Sequence, residues 1–242
     1  MIPVTLEAAA KLTLSLRITG VRDDGYHLID AEMVTLAWHD VVTIDASSTG
    51  LTADGPYASG VPLDDSNLVA AALRKVGRTA AVHIHKALPH GGGLGGGSAD
   101  AAAVLRWAGY TDVIGAADLG ADVAFCLVGG RARVRGIGEV VDPMPFVPID
   151  ITLVIPPLAV STPVVYRAWD DLGGRDGDGP NDLEAAAIAA YPELQGWRDR
   201  IGDLAGQAPT LTGSGATWFL LGHHDLGPSL TDCNVVQTKT CA

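Results

Sequence analysis

Six of the seven residues at positions 91–97 are glycine, and this run constrains the chain more than any other segment. A glycine inside a helix or strand costs roughly 0.5–1 kcal/mol relative to alanine, so a regular element is unfavourable here. Residues 81–85, before the run, alternate as in a strand, and the alanine-rich residues 98–105 after it are typical of a helix. A strand, a glycine loop and a helix N-terminus in succession predict a binding loop for an anion, which we expect to be a polyphosphate.

Two common interpretations of a glycine run do not fit this one. Flexible linkers mix serine with glycine and have polar flanks, whereas this run contains Leu94 and leads into an apolar segment. The P-loop requires a lysine at its end, which this run lacks. Gly91, Gly93 and Gly96 match the G-x-G-x-x-G pattern, but in so dense a run a match is nearly automatic, and no acidic residue follows a second strand as a dinucleotide site requires.

Composition limits the class of protein. The 242 residues are 48% hydrophobic, enough for a sizeable core, and they contain no apolar run of 18 residues. Neither a basic leader nor an apolar signal segment stands at the N-terminus. We therefore expect a globular, cytoplasmic protein of one large or two small domains, without a membrane partner.

Cysteine content and charge exclude further classes. Cys126, Cys233 and Cys241 are too few and too irregularly spaced for a disulfide framework or a zinc site. The formal net charge of −12 argues against nucleic acid as a partner. An acidic protein that binds phosphate must use backbone dipoles and a few placed cations instead of a broad basic surface.

Two lone charges stand next to apolar segments. Lys11 begins an alternating strand that should place Leu12, Leu14 and Leu16 on one face. The lysine is either a solvated edge residue or a chemical group. Asp122 begins an otherwise apolar segment, where an aspartate is either a helix N-cap or a catalytic carboxylate, and the pattern leaves both open.

A third feature is a second small-residue turn, residues 211–217, which contains Gly213 and Gly215. Phosphoryl transfer to an alcohol needs backbone donors for the polyphosphate, a carboxylate for the hydroxyl proton and a cation to offset charge. The glycine loop, Asp122 and this turn are consistent with that chemistry.

At the level of motifs, the segment 89–102, PHGGGLGGGSADAA, resembles the ATP loop of the GHMP kinase superfamily, named for galactokinase, homoserine kinase, mevalonate kinase and phosphomevalonate kinase. Within it, the chain resembles the 4-diphosphocytidyl-2-C-methyl-D-erythritol kinases. Further motifs occur in the family's order over about residues 5–222: AKLTL at 10–14, DGYH at 24–27, NL at 67–68, GADV at 120–123, GIGE at 136–139, TPVVY at 162–166, NDLE at 181–184 and LTGSGA at 211–216.

The resemblance implies an α+β protein with the two-lobed GHMP kinase fold and the active site in the cleft. Residues 1–149 would form the ATP-binding lobe, which is ribosomal protein S5 domain 2-like, and residues 150–242 a shortened, ferredoxin-like lobe. The implied reaction is ATP-dependent phosphorylation of the 2-hydroxyl of 4-diphosphocytidyl-2-C-methyl-D-erythritol in the non-mevalonate (MEP) isoprenoid pathway. Mg²⁺ would be carried on the ATP phosphates without a confident protein ligand, and the protein would be a monomer or weak homodimer.

The resemblance also assigns roles to residues. Asp122 would be the base, and Lys11 would polarise the hydroxyl and hold Asp122 ionised. Tyr26 and Tyr166 would sandwich the cytosine, and His27 would read its polar edge. The other substrate contacts would be Thr13, Thr162, Gly213, Ser214 and Gly215. The ATP contacts would be Pro89, Gly91, Gly92, Gly93, Leu94, Gly95, Gly96, Gly97, Ser98 and Asn67.

The sequence departs from the family pattern at several points. Thr13 stands where the family usually has asparagine, and Tyr166 where it often has phenylalanine. The segment between Gly109 and Asp118 is compressed, and a helix expected after Leu221 is missing or reduced. Two alternatives therefore remain: another GHMP-type small-alcohol kinase, or a non-catalytic nucleotide-binding relative.

Overall fold

The computed structural model describes residues 2–174 and 177–242. Its strands are β1 (Val4–Val21), β2 (His27–Asp45), β3 (Gly50–Asp54), β4 (Ala81–His85), β5 (Arg131–Gly136), β6 (Val140–Pro143), β7 (Asp150–Ile155), β8 (Thr210–Leu211), β9 (Trp218–Leu221) and β10 (Asn234–Cys241). Its helices are α1 (Leu68–Lys75), α2 (Gly96–Trp107), α3 (Val113–Ala117), α4 (Ala121–Val128), α5 (Thr162–Asp171), α6 (Glu184–Ala190) and α7 (Glu193–Ala205).

The long strand β2 organises the sheet. It pairs antiparallel with β1, β4, β5 and β10, while β3 lies parallel to β4 at one edge. The last strand, β10, pairs with both β2 and β7, and β7 continues through β9 to β8. The C-terminal strand therefore joins the sheet of the first half of the chain to that of the second.

Strand β1 changes its buried face along its length. Its pairing with β2 is irregular between Ala9 and Lys11 and again between Thr13 and Ser15. Leu12 packs in a smaller core cluster, whereas Leu16 packs in the main core. The prediction that Leu16 shares a face with Leu12 is wrong, because an irregularity in strand register reverses the side-chain alternation.

Helix α2 packs at the centre of the main core. It contacts α1, α4, β1 and β2, and its alanines are buried, so its small side chains allow several elements to approach closely. Helix α4 adds Val123 and Phe125 to the same core. The helix that follows the glycine run is thereby fixed on several sides.

Most predicted elements are present, with differences at the edges. The strand at 81–85 is β4, and α2 begins two residues before the predicted start at Ser98. The short edge strand β3 lies in a segment, residues 46–66, that is rich in Ser, Gly, Asp and Pro. After β9 only a 3-10 turn, Gly227–Ser229, precedes β10. The division into lobes at residues 149 and 150 stays a prediction. No helix within the described residues is long and apolar enough to cross a membrane.

Candidate active site

The glycine run forms an anchored loop between β4 and α2. Gly91, Gly93 and Gly95 have positive φ angles of 66°, 75° and 67°, which side chains disfavour. Leu94 between them is buried in the smaller core, and its carbonyl accepts a 3.0 Å hydrogen bond from the Lys11 amide. This anchoring excludes the linker interpretation. Because the Leu94 side chain is buried, Leu94 can offer a ligand only its backbone.

The loop leads into an uncapped helix N-terminus. Gly95 is the N-cap of α2 and offers no side chain, and the first helical bond runs from the Ala99 amide to the Gly95 carbonyl at 2.8 Å. The amides of Gly96, Gly97 and Ser98 therefore have no acceptor within the helix. These donors and the positive end of the helix dipole suit an anion.

The loop geometry gives a first prediction, for Gly93→Ala. A Cβ at residue 93 would lie 2.8 Å from the Thr212 carbonyl oxygen, at a φ that alanine adopts with strain. We expect kcat/KM for ATP to fall at least about tenfold, because the loop must shift away from the second turn. In Gly97→Ala a Cβ would meet only Leu68 at 3.8 Å, so this control should keep the wild-type melting temperature. Wild-type kinetics in Gly93→Ala would contradict the assigned loop geometry.

Lys11 and Asp122 form an ion pair beside this loop. Lys11 lies inside β1 and is 4% exposed, which excludes a solvated edge lysine. Its Nζ is 3.3 Å from Asp122 Oδ2 and 3.3 Å from Thr13 Oγ1. The N-cap of α4 is Gly120, so the N-cap interpretation of Asp122 is wrong and its carboxylate lies in the first helical turn. The carboxylate remains partly accessible and can accept a proton from a ligand.

The pair faces a cavity of about 540 Å³. The lining includes predicted site residues from six parts of the chain: Lys11, Thr13, Tyr26, His27, Gly93, Ser98, Asp122, Thr162, Tyr166, Gly213 and Ser214. Arg167 and Asp170 of α5 also line it and were not predicted. Residues far apart in sequence are thus brought together around the carboxylate.

Aromatic side chains lie at one end of the cavity. The ring centroids of His27 and Tyr166 are 4.7 Å apart, and the edge of Trp169 lies against His27. Burial, with a smaller effect from Asp122, raises the pKa of Tyr166 to about 12, so its hydroxyl stays neutral. Tyr26 is 60% exposed at the rim. Tyr26 and Tyr166 line the same cavity, as a sandwich of a flat ligand would require.

The Asn181 side chain forms hydrogen bonds with the backbone of the second glycine turn. Its Nδ2 donates to the carbonyls of Leu211 and Gly213, both at 2.7 Å. Thr162 Oγ1 lies 2.8 Å from Ser214 Oγ, so α5 is tied to the same turn. Asn181 Oδ1 also accepts a 3.0 Å hydrogen bond from the Leu183 amide, so the same side chain ties the turn to the start of α6.

A second cavity, of about 660 Å³, lies on the other side of the glycine loop. Pro89 and Gly92 line it, together with Tyr57 and Asn234. Asn67 lies apart from both cavities as the N-cap of α1, where its Oδ1 accepts from the Val69 amide at 2.8 Å. Of the predicted ATP residues, Gly93 and Ser98 therefore line the first cavity, and Pro89 and Gly92 line the second.

A buried charge cluster beneath the loop was not predicted. Lys86 Nζ contacts a carboxylate oxygen of Asp40 and lies 2.7 Å from Asp100 Oδ2, and all three residues are at most 3% exposed. Asp40 also accepts from the amides of Ala87 and Leu88 at 2.6 and 2.8 Å. Asp100 stands alone in an alanine-rich segment, which is the signal that could have identified it, whereas Asp40 and Lys86 each follow a histidine.

Gly96, at the start of α2, lies directly over this cluster. A Cβ there would be 3.3 Å from Lys86 Nζ and 3.4 Å from Asp40 Oδ2. Asp100, one turn further along α2, joins the helix to the same lysine. The cluster therefore connects β2, the end of β4 and the helix N-terminus that presents the amides.

Asp100 gives a second prediction, on pH. Burial raises the pKa of Asp100 to about 7 against the attraction of Lys86, with repulsion from Asp40 adding to the effect. A raised carboxyl pKa stabilises the fold at low pH, and this contribution is lost as pH rises through about 7. We expect Asp100→Asn to gain melting temperature relative to wild type as pH rises from about 4 to about 7, measured by calorimetry. A difference that is constant with pH would contradict this.

Comparisons with known proteins identify the family. Residues 67–130 match the model of the GHMP kinases N terminal domain. The 4-diphosphocytidyl-2-C-methyl-D-erythritol kinase of Paracoccus denitrificans is 40% identical over 231 residues, which cover 88% of this chain and 84% of the relative. The enzyme of the same name from Ruegeria pomeroyi is 39% identical over 240 residues, covering 88% and 86%.

Solved structures agree with the sequence relatives. A crystal structure of 4-(cytidine 5'-diphospho)-2C-methyl-D-erythritol kinase superposes with a TM-score of 0.79 at 31% identity, covering 99% of this chain and 100% of that one. A mevalonate kinase from L. major, solved with R-mevalonate, has a TM-score of 0.67 at 13% identity, covering 98% and 95%, and shows the fold alone. The chain belongs to the 4-diphosphocytidyl-2-C-methyl-D-erythritol kinase family of GHMP kinases.

Proposed function

We propose that this chain transfers the γ-phosphoryl group of ATP to the 2-hydroxyl of 4-diphosphocytidyl-2-C-methyl-D-erythritol. The observation that carries the proposal is the Lys11–Asp122 pair, 3.3 Å apart, in a cavity bounded by the glycine loop at one side and by His27 and Tyr166 at the other. This places the enzyme in the non-mevalonate (MEP) pathway to isoprenoid precursors.

Asp122 and Lys11 have different roles in the transfer of the hydroxyl proton. The substrate hydroxyl gives its proton to the Asp122 carboxylate while its oxygen forms the new bond to phosphorus. The Lys11 ammonium balances the carboxylate charge and polarises the hydroxyl oxygen. Thr13, which accepts from Lys11 at 3.3 Å, limits the positions of the lysine head group. ATP supplies the phosphoryl group when it is bound.

The chain's residues fit a triphosphate. The positive φ angles of Gly91, Gly93 and Gly95 and the uncapped start of α2 leave backbone donors for phosphate oxygens. For Mg²⁺, residues 2–174 and 177–242 hold no group of three or more His, Cys, Asp or Glu side chains placed for a metal ion. We propose that the ion is held chiefly by the phosphates, as is usual for this metal.

The assay that tests the function is ADP release from the purified chain, coupled to NADH oxidation. We expect turnover with the cytidylylated alcohol and little with mevalonate or homoserine. Equal turnover of all three would favour another small-alcohol kinase of the superfamily. Nucleotide binding without turnover of any of them would favour a non-catalytic relative.

The remaining expectations are proposals of the same kind. We place the reaction in the cytoplasm, with a monomer or weak homodimer as the working unit. Cys126, Cys233 and Cys241 are all free thiols, which is typical of a reducing compartment. Light scattering of the purified chain over a range of concentrations measures the oligomeric state.

A further inference from the structure

One face of α5 surrounds the His27 side chain. Tyr166, Trp169 and Asp170 are three and four residues apart, so they lie on the same side of the helix. Tyr166 packs on the imidazole ring with centroids 4.7 Å apart, and Trp169 meets it edge-on at 5.5 Å. Asp170 Oδ1 lies 2.8 Å from His27 Nε2. Two aromatic side chains therefore fix the orientation of the His27 ring, and a carboxylate forms a hydrogen bond with its Nε2.

The carboxylate determines which imidazole nitrogen carries the proton. An ionised carboxylate only accepts hydrogen bonds, so Nε2 must donate to Asp170. In the neutral ring the proton is then on Nε2, and Nδ1 has a lone pair. The His27 side chain is only 9% exposed and lines the cavity, so Nδ1 is the ring nitrogen left to meet a ligand there.

We propose that Asp170 is a positioning residue that fixes the Nε2–H tautomer of His27 and thereby selects cytosine over uracil. The proposal rests on the proposed function, because it assigns the base of the substrate to this end of the cavity. Cytosine carries an amino donor where uracil carries a carbonyl acceptor. A lone pair on Nδ1 accepts from the amino group and repels the carbonyl, and polar mismatches of this kind discriminate strongly.

The test compares binding of cytidine 5′-diphosphate and uridine 5′-diphosphate by calorimetry at about pH 8, where free imidazole is neutral. In Asp170→Asn the carboxamide offers Nε2 a donor as well as an acceptor, so the side chain no longer imposes the Nε2–H tautomer. We expect wild type to prefer the cytidine nucleotide and Asp170→Asn to reduce that preference at least about tenfold. The ratio of the two affinities cancels the general gain in diphosphate binding that follows from removing a negative charge.

Three controls separate positioning from structure. Asp171→Asn removes the neighbouring exposed carboxylate of α5 and should leave the preference unchanged. Asp170→Glu keeps an acceptor and should restore most of it. Asp170→Asn should raise the KM for the cytidylylated alcohol and leave the KM for ATP unchanged. In ¹⁵N NMR, His27 should be protonated on Nε2 in wild type, and the Nδ1–H tautomer should appear in Asp170→Asn.

The outcomes are distinguishable. A wild-type protein that shows no preference for the cytidine nucleotide would overturn the proposed function and this inference together. A wild-type preference that Asp170→Asn leaves intact, with His27 protonated on Nε2 in both proteins, would overturn the role of Asp170 alone.

Discussion

Replacing Asp122 with asparagine is expected to lower kcat by roughly 10²–10⁴-fold, the usual contribution of a general base. The asparagine keeps the size of the side chain but cannot receive the hydroxyl proton. Its carboxamide can still accept a hydrogen bond from Lys11, whose Nζ lies 3.3 Å from the present carboxylate. The measurements are steady-state kcat by ADP release and the affinities for ATP and the cytidylylated alcohol by calorimetry, which should change only a few-fold.

The matched control is Asp118→Asn. Asp118 lies four residues earlier, is exposed, and pairs with Lys75 at 2.9 Å on the surface. Its replacement removes the same charge near the same helix without touching the cavity, so kcat should remain at the wild-type value. Wild-type turnover in Asp122→Asn would exclude the base assignment. Equal losses in both variants would assign the effect to net charge.

The parts of the candidate site could be predicted from sequence because each leaves a local signal. A glycine run is costly in a regular element, so positions 91–97 indicated an irregular binding loop. Asp122 stood alone before an apolar segment, and Lys11 preceded an alternating strand. Their pairing across 111 positions is not encoded locally. It was expected only from the resemblance to the family, and the ion pair in the structure agrees with it.

Supporting residues could not be predicted in the same way, since their roles depend on long-range contacts. Asn181 holds the carbonyls of a turn 30 and 32 residues away, and Asp170 meets a histidine 143 residues away. Local patterning also failed at the edges. Strand β3 is short and alternately exposed, and helix α7 begins directly after Pro192.

The buried cluster of Asp40, Lys86 and Asp100 also depends on long-range contacts. Removing its lysine is the substitution with the largest expected effect on the stability of the fold. Lys86→Met would leave the carboxylates of Asp40 and Asp100 without their shared cation, at 0% and 4% side-chain exposure. Breaking a buried ion pair by removing one partner typically costs about 3–5 kcal/mol. We expect a loss of this size in the free energy of unfolding, measured by urea denaturation with circular dichroism.

Lys75→Met is the control for that variant, because it removes a lysine from a surface pair with Asp118 and keeps the apolar stem. Exposed pairs typically contribute about 0–1 kcal/mol, so the two variants should differ several-fold in their cost. A Cβ built on Gly96 would lie 3.3 Å from the Lys86 ammonium, so the lysine is close to the start of α2. We therefore expect the folded fraction of Lys86→Met to bind ATP more weakly as well. If Lys86→Met lowers the free energy of unfolding no more than Lys75→Met does, the buried cluster does not stabilise the glycine loop. In that case burial of Leu94 and the backbone bonds from Lys11 and Thr217 hold the loop.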